Sequence, residues 1–121
     1  IKNKNIMELF QNKLSFEKRK IESTRVLKKY KNKIPIIAQN KQKSNTFTKT
    51  NSLPSLEQYK FLVPVDYTIG EFLYTIRTQM KLKESTALFL LVGDNGTLLP
   101  NCTKMSEAYN HHKNKDGFLY F

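Results

Sequence analysis

Cys102, His111 and His112 are the residues whose types could carry covalent chemistry in this 121-residue chain. A thiol hydrolase needs a thiolate in reach of an imidazole, a group that orients the imidazole, and main-chain donors for the oxyanion. Both histidines fall on a predicted helix just after the cysteine, with no strained turn or Gly-rich oxyanion loop beside them. One Cys with two adjacent His also lacks the ligand spacing and the fourth donor of a zinc site. Glu57, Asp66, Glu71, Glu84 and Glu107 are scattered, so no general acid/base pair can be picked out. Gly93-Asp94-Asn95-Gly96 reads as a turn, not as a phosphate-cradling loop. The chain therefore reads as a non-enzyme with no cofactor and no metal.

Recognition is the chemistry left, and charge is its first sign. The formal net charge is +11, with fourteen Lys/Arg against three acids in residues 1–49 and seven against seven in 50–121. All the excess thus lies on the N-terminal part, where it attracts anionic partners at long range and is weakened by salt. Nucleic acid is not the expected partner, because Phe16, Tyr30 and Phe47 form no sheet platform on which bases could stack. A basic adaptor for anionic polymers, such as nucleic acid or acidic cytoskeletal tails, is the alternative this segment leaves open. The lone cysteine excludes an internal disulfide and suits a reducing compartment.

The second sign is the run Tyr59-Lys60-Phe61-Leu62-Val63-Pro64-Val65, the densest β-forming stretch mid-chain. Alternation sends Phe61 and Val63 to one face and Lys60, Leu62 and Pro64 to the other. Pro64 cannot donate to a ladder, which predicts an edge, a margin or a bulge at that end. Such an edge reads in two ways: as an ordinary strand with a managed edge, or as a docking rail for an extended peptide, with main-chain bonds giving affinity and flanking pockets giving choice.

The elements that must hold this rail follow from periodicity. Ile6, Leu9, Phe10 and Leu14 predict a short amphipathic helix over 6–14. Ser15 caps a second helix running to about Tyr30, with Glu17 in its first turn. Ile34 to Ala38 is a β-branched strand, with Pro35 expected at its start or on an edge. Residues 39–56 are polar and read as a long loop. Thr68-Ile69-Gly70-Glu71 has capping-box spacing ahead of the stripe Ile69, Phe72, Leu73, Ile76 and Met80. The continuous run Ala87 to Val92 predicts a central strand buried on both faces. Thr103 is placed to cap a short helix through His112, and Phe118 to Phe121 form a closing strand. The order is an α+β, ubiquitin-like β-grasp: a four-stranded mixed sheet with two extra N-terminal helices. Residues 1–30 form a helical extension packed on the domain and 31–121 the β-grasp domain, with its long loop at 39–56. With Ile69–Met80 on one sheet face, only the N-terminal helices are available to cover the other.

Six separated motifs then resemble a known family. Phe16-Glu17-Lys18-Arg19, Lys28-Lys29-Tyr30 to Ile34-Pro35-Ile36-Ile37, Phe61-Leu62-Val63-Pro64, Thr68-Ile69-Gly70-Glu71-Phe72, Ala87-Leu88-Phe89 and Lys115-Asp116-Gly117-Phe118-Leu119-Tyr120 occur in order. Together they look like the GABARAP family of ubiquitin-like autophagy modifiers, over roughly residues 14–121. The resemblance implies capture of aromatic-x-x-aliphatic motifs of cargo receptors and autophagy proteins. The aromatic side chain would enter a first pocket matched by Glu22, Val26, Pro35, Lys60, Leu62 and Phe118. The aliphatic one would enter a second, matched by Phe61, Val63, Pro64, Tyr67, Phe72 and Ile76. Arg25, Lys29 and Lys33 would form a basic flank for acidic residues beside the motif. The resemblance also implies ubiquitin-like activating and conjugating enzymes, a processing cysteine protease, and attachment to phosphatidylethanolamine through a C-terminal glycine. It implies a monomer, cytoplasmic and on autophagosomal or related membranes when conjugated. The given sequence stops at Phe121 without the glycine-ended tail, so conjugation is expected only of a form that carries it. Departures from the family are the longer 39–56 stretch, Gln58 and Tyr59 in place of frequent lysines, and Thr75 and Gln79 on the helix.

Overall fold

The computed structural model describes residues 9–40 and 59–121. The expected helix start at Ile6 and most of the 39–56 loop lie outside them. The elements are α1 (Phe10–Lys13), α2 (Phe16–Lys29), β1 (Lys33–Ile37), β2 (Lys60–Pro64), α3 (Ile69–Met80), β3 (Leu91–Val92), β4 (Thr97–Leu98), α4 (Met105–His112) and β5 (Leu119–Tyr120). Among the described residues, β2-β1-β5 form one mixed sheet and β3-β4 a separate antiparallel pair.

β1 pairs antiparallel with β2 from Lys33↔Pro64 to Ile37↔Lys60, and parallel with β5 at Ile36↔Leu119 and Ile37↔Tyr120. The pleat divides the core in two. Ile34, Ile36, Phe61 and Val63 pack with Ile69, Phe72, Ile76, Met80, Met105 and Leu119 on the α3 face. Ile37 packs with Phe10 and Phe118 on the other face, joined by Leu14, Tyr59 and Tyr120. The N-terminal helices cover the face that α3 leaves open, as the amphipathic patterns require.

α3 begins where the capping box predicts. Glu71 donates its amide to Thr68 Oγ1 at 3.1 Å, and the Glu71 carboxylate accepts from the Thr68 amide at 2.9 Å. Lys81, left-handed at φ 54°, ends the helix. Thr68→Ala is expected to cost about 1 kcal/mol of stability. Urea unfolding checks this, with the midpoint lowered and the slope unchanged.

Three details differ from the sequence reading. Pro35 sits in the middle of the central strand. β1–β2 hydrogen bonds fall at even positions of β1, as Ala38 N–H to Tyr59 C=O (2.8 Å) shows, so the Pro35 nitrogen faces β5. Extending the β1–β5 ladder backwards sets that nitrogen opposite the Gly117 carbonyl, which accepts from the Tyr109 hydroxyl at 2.8 Å instead. The missing donor is thereby replaced. Second, the 87–92 run is not a central strand. Only Leu91 and Val92 pair, with Leu98 and Thr97, and Phe89 is 70% exposed. Its burial alternates because one side of the run faces outward. Third, Lys104 rather than Thr103 is the N-cap of α4, and it makes no side-chain cap bond. The first-turn amides of Met105 and Ser106 bond instead to the carbonyls of Tyr67 (2.6 Å) and Val65 (3.0 Å).

Candidate functional site

β2 is the margin of its sheet, and its side chains point into two different environments. Positions 61 and 63 form the hydrogen-bonded pairs with β1, so the main chain of Leu62 is turned away from β1. Among the described residues no strand pairs with that outer side.

The α2 side holds the residues expected in a first pocket. Lys60 Nζ pairs with Glu22 Oε2 at 2.9 Å and lies 5.0 Å from the centroid of the Phe10 ring. Phe10 stands edge-on to Phe118, centroids 5.2 Å apart, and both are buried. Leu62 is opposite the buried Pro35 in the register, and both Leu62 and Val26 are half-buried. Between α2 and the sheet, aromatic and proline surface thus lies beneath an ion pair that joins the two. Phe10 is a member of this cluster that the family resemblance does not point to. Its signal was the Leu9, Phe10, Leu14 spacing, which gave an apolar face but no address for it. The Phe10 amide donates to Gln39 Oε1 at 2.8 Å, which ties α1 to the end of β1.

The α3 side places the second set differently. Phe61, Val63, Phe72 and Ile76 belong to the main core, with Phe61 and Phe72 edge-on at 5.2 Å. Tyr67 is half-buried against this core and bonds its N–H to Pro64 C=O at 3.1 Å, whereas half-buried Pro64 alternates onto the other face with Lys60 and Leu62, apart from the rest of the second set. Arg25, Lys29 and Lys33 are exposed around α2 and the start of β1. Ile21 is exposed on the outward side of α2 among these cations.

α2 is seated by a buried polar cluster. Asp116 is fully buried; its Oδ1 accepts from Phe118 N–H at 2.9 Å, and its Oδ2 accepts from Arg19 Nη1 and from the Tyr120 hydroxyl. Ser23 Oγ donates to the Asp116 carbonyl. Burial, and then the hydrogen bond to Asp116, push the Tyr120 hydroxyl well above its ordinary 10.0, against the opposing effect of Arg19. Unfolded chains ionise this tyrosine near 10.0 while the folded one keeps its proton. The contribution is therefore full below pH 10.0 and declines as the pH rises above it toward the folded value. In pH-dependent urea unfolding, the parent protein should lose more stability above pH 10.0 than Tyr120→Phe does.

The hydrolase triplet is not assembled. Cys102 is exposed before α4 and the histidines lie at its far end, about 12 Å of helix away. His111 Nδ1 is 3.0 Å from the Glu107 carbonyl. No cluster of metal-ligating side chains occurs among the described residues, and no helix there is long and apolar enough to cross a membrane.

A cavity of about 540 Å³ lies beside β5, across the sheet from β2. Its lining includes Ile37, Ile76, Met80, Leu88, Leu90 and Phe121. It opens where the 88–91 segment stands off from β5, and it is not part of the β2 margin.

Comparison with known proteins bears on this arrangement. A family model described as "Autophagy protein Atg8 ubiquitin like" matches residues 18–121. Autophagy-related protein 8 of Kluyveromyces marxianus is 44% identical over 111 residues, covering 92% of this chain and 82% of that protein. The Saccharomyces cerevisiae protein of the same name is 42% identical, covering 92% and 87%. The crystal structure of Trypanosoma brucei ATG8 superposes with a TM-score of 0.76 at 31% identity, covering 95% of this chain and 91% of that one.

Proposed function

Because the chain belongs to the Atg8 family of ubiquitin-like autophagy proteins, we propose that it serves as a peptide-capturing modifier whose docking rail is β2. An aromatic-x-x-aliphatic segment of a cargo receptor or autophagy protein adds to the sheet as an extended strand. Its aromatic residue enters the hollow between α2 and the sheet, and its aliphatic residue settles on the α3 side, against Tyr67 at the end of β2. Acidic residues flanking the motif approach Arg25, Lys29 and Lys33, which raises the rate of encounter. A form of the protein ending in glycine is the substrate of ubiquitin-like activating and conjugating enzymes that join it to phosphatidylethanolamine. It thereby carries its captured peptide to a membrane.

The observation that supports this reading most is the marginal position of β2, with the Leu62 main chain turned away from β1 between two apolar clusters. A strand so placed offers main-chain bonds to a partner without breaking any of its own. Leu62→Pro tests it, because proline removes an outward amide and leaves the β1 pairing alone. In calorimetric titration with such a peptide, Leu62→Pro should abolish binding while Leu62→Ala only weakens it. Equal affinity for the proline variant and the parent would remove strand addition from the proposal.

A further inference from the structure

α2 has 14 residues, and the only buried one is Ser23. A helix of that length is marginal in water unless tertiary contacts hold it. Val26 and Leu27 contribute half-buried apolar surface. The deep attachments are polar: Arg19 to the Asp116 carboxylate and Ser23 to the Asp116 main chain. Arg19 also donates from Nε to the Leu14 carbonyl at 3.2 Å, tying the start of α2 to the end of α1.

We propose that Arg19 and Asp116 form a latch that seats α2 and thereby sets the width of the first hollow, making both positioning residues for peptide capture. The proposal rests on the peptide-docking reading of that hollow. Glu22 lies three residues beyond Arg19, and Val26 three beyond Ser23, so the side of α2 fixed by the latch also supplies the hollow's outer wall. The opposite wall, Lys60 and Leu62, is fixed in β2. Movement of α2 against the sheet changes the gap between the two walls and little else, because α3 packs on the other face. Asp116 suits a latch because one buried carboxylate serves three elements: its own turn through Phe118 N–H, β5 through Tyr120, and α2 through Arg19. Without Arg19 the carboxylate is left buried with no cation, so the seated state is penalised specifically.

Two measurements on the whole protein test this. Backbone hydrogen exchange is recorded for the parent, Arg19→Met, Asp116→Asn and the milder Arg19→Lys. Peptide affinity is measured with an aromatic-x-x-aliphatic peptide and with versions carrying alanine at the aromatic or the aliphatic position. In Arg19→Met and Asp116→Asn, α2 amides should exchange at least about tenfold faster while α3 amides are unchanged. The affinity lost on removing the peptide's aromatic side chain should shrink several-fold, and the loss for the aliphatic one should persist. Arg19→Lys should restore part of both effects. Equal acceleration in α2 and α3 would overturn the latch, since the ion pair would then support the whole fold. Faster α2 exchange with an undiminished aromatic penalty would overturn the positioning role. A parent protein that binds no such peptide would overturn that role and the docking reading together. Exchange is measured without peptide, so it still separates failure of the latch from failure of the reading.

Discussion

Lys60→Glu is expected to weaken binding of an aromatic-x-x-aliphatic peptide by about tenfold or more, equivalent to roughly 1.4 kcal/mol or more. The parent ammonium stands 2.9 Å from Glu22 and over the Phe10 ring. A glutamate in its place faces Glu22 with the same sign, repels acidic residues flanking the motif, and gives up the contact with the aromatic face. The fold should barely register the change. With Lys60 and Glu22 side chains 45% and 31% exposed, the pair contributes at most about 1 kcal/mol. Titration calorimetry and urea unfolding of the same protein separate the two quantities. The parent's affinity should fall with added salt more steeply than the variant's. Unchanged affinity in the variant would place peptide capture elsewhere on the molecule.

Gly117→Ala should be the most damaging of the four glycine-to-alanine substitutions. Gly117 has φ +94°, and a Cβ there would lie 2.2 Å from Ser23 Oγ and 2.9 Å from Ser23 Cβ. The left-handed backbone and the forced overlap together cost about 3 kcal/mol. Relief requires α2 to lift, because turning the buried Ser23 side chain moves Oγ but leaves its Cβ 2.9 Å from the added methyl group. Two outcomes follow: a lowered unfolding midpoint, and loss of peptide affinity exceeding that of a surface substitution. A second-site Ser23→Gly removes the overlap but not the φ penalty. The double variant should therefore be more stable than the sum of the single changes predicts, by at least about 1 kcal/mol. Strict additivity would mean that the approach of Gly117 to α2 carries no energy.

Much of the scaffold is legible locally. Ser15 and Thr68 are short oxygen-bearing side chains placed before helical stripes, and both cap the helices they precede. The two-residue alternation in Lys60–Pro64 already divides its side chains between two faces, and the structure places Phe61 and Val63 in the core accordingly. These features depend on neighbours within one or two turns of chain, so the sequence carries them. The ordered motifs from Phe16 to Tyr120 likewise point to the family, because each is a local string.

What the tertiary structure decided is which distant groups meet. The run Ala87 to Val92 reads as doubly buried because its residues are all apolar, yet apolarity does not say whether a neighbour exists on both sides; Phe89 and Leu91 face outward. Pro35 looks like an edge residue until Tyr109 is seen to satisfy the carbonyl opposite its nitrogen. Phe10 beneath Lys60, and Arg19 on an aspartate 97 residues away, follow no spacing rule. Periodicity reports how a segment divides between water and apolar surroundings, while the partner it meets depends on chain closure over the whole domain. The contacts that seat α2 on the sheet, unlike the alternation within β2, exist only once those closures are made.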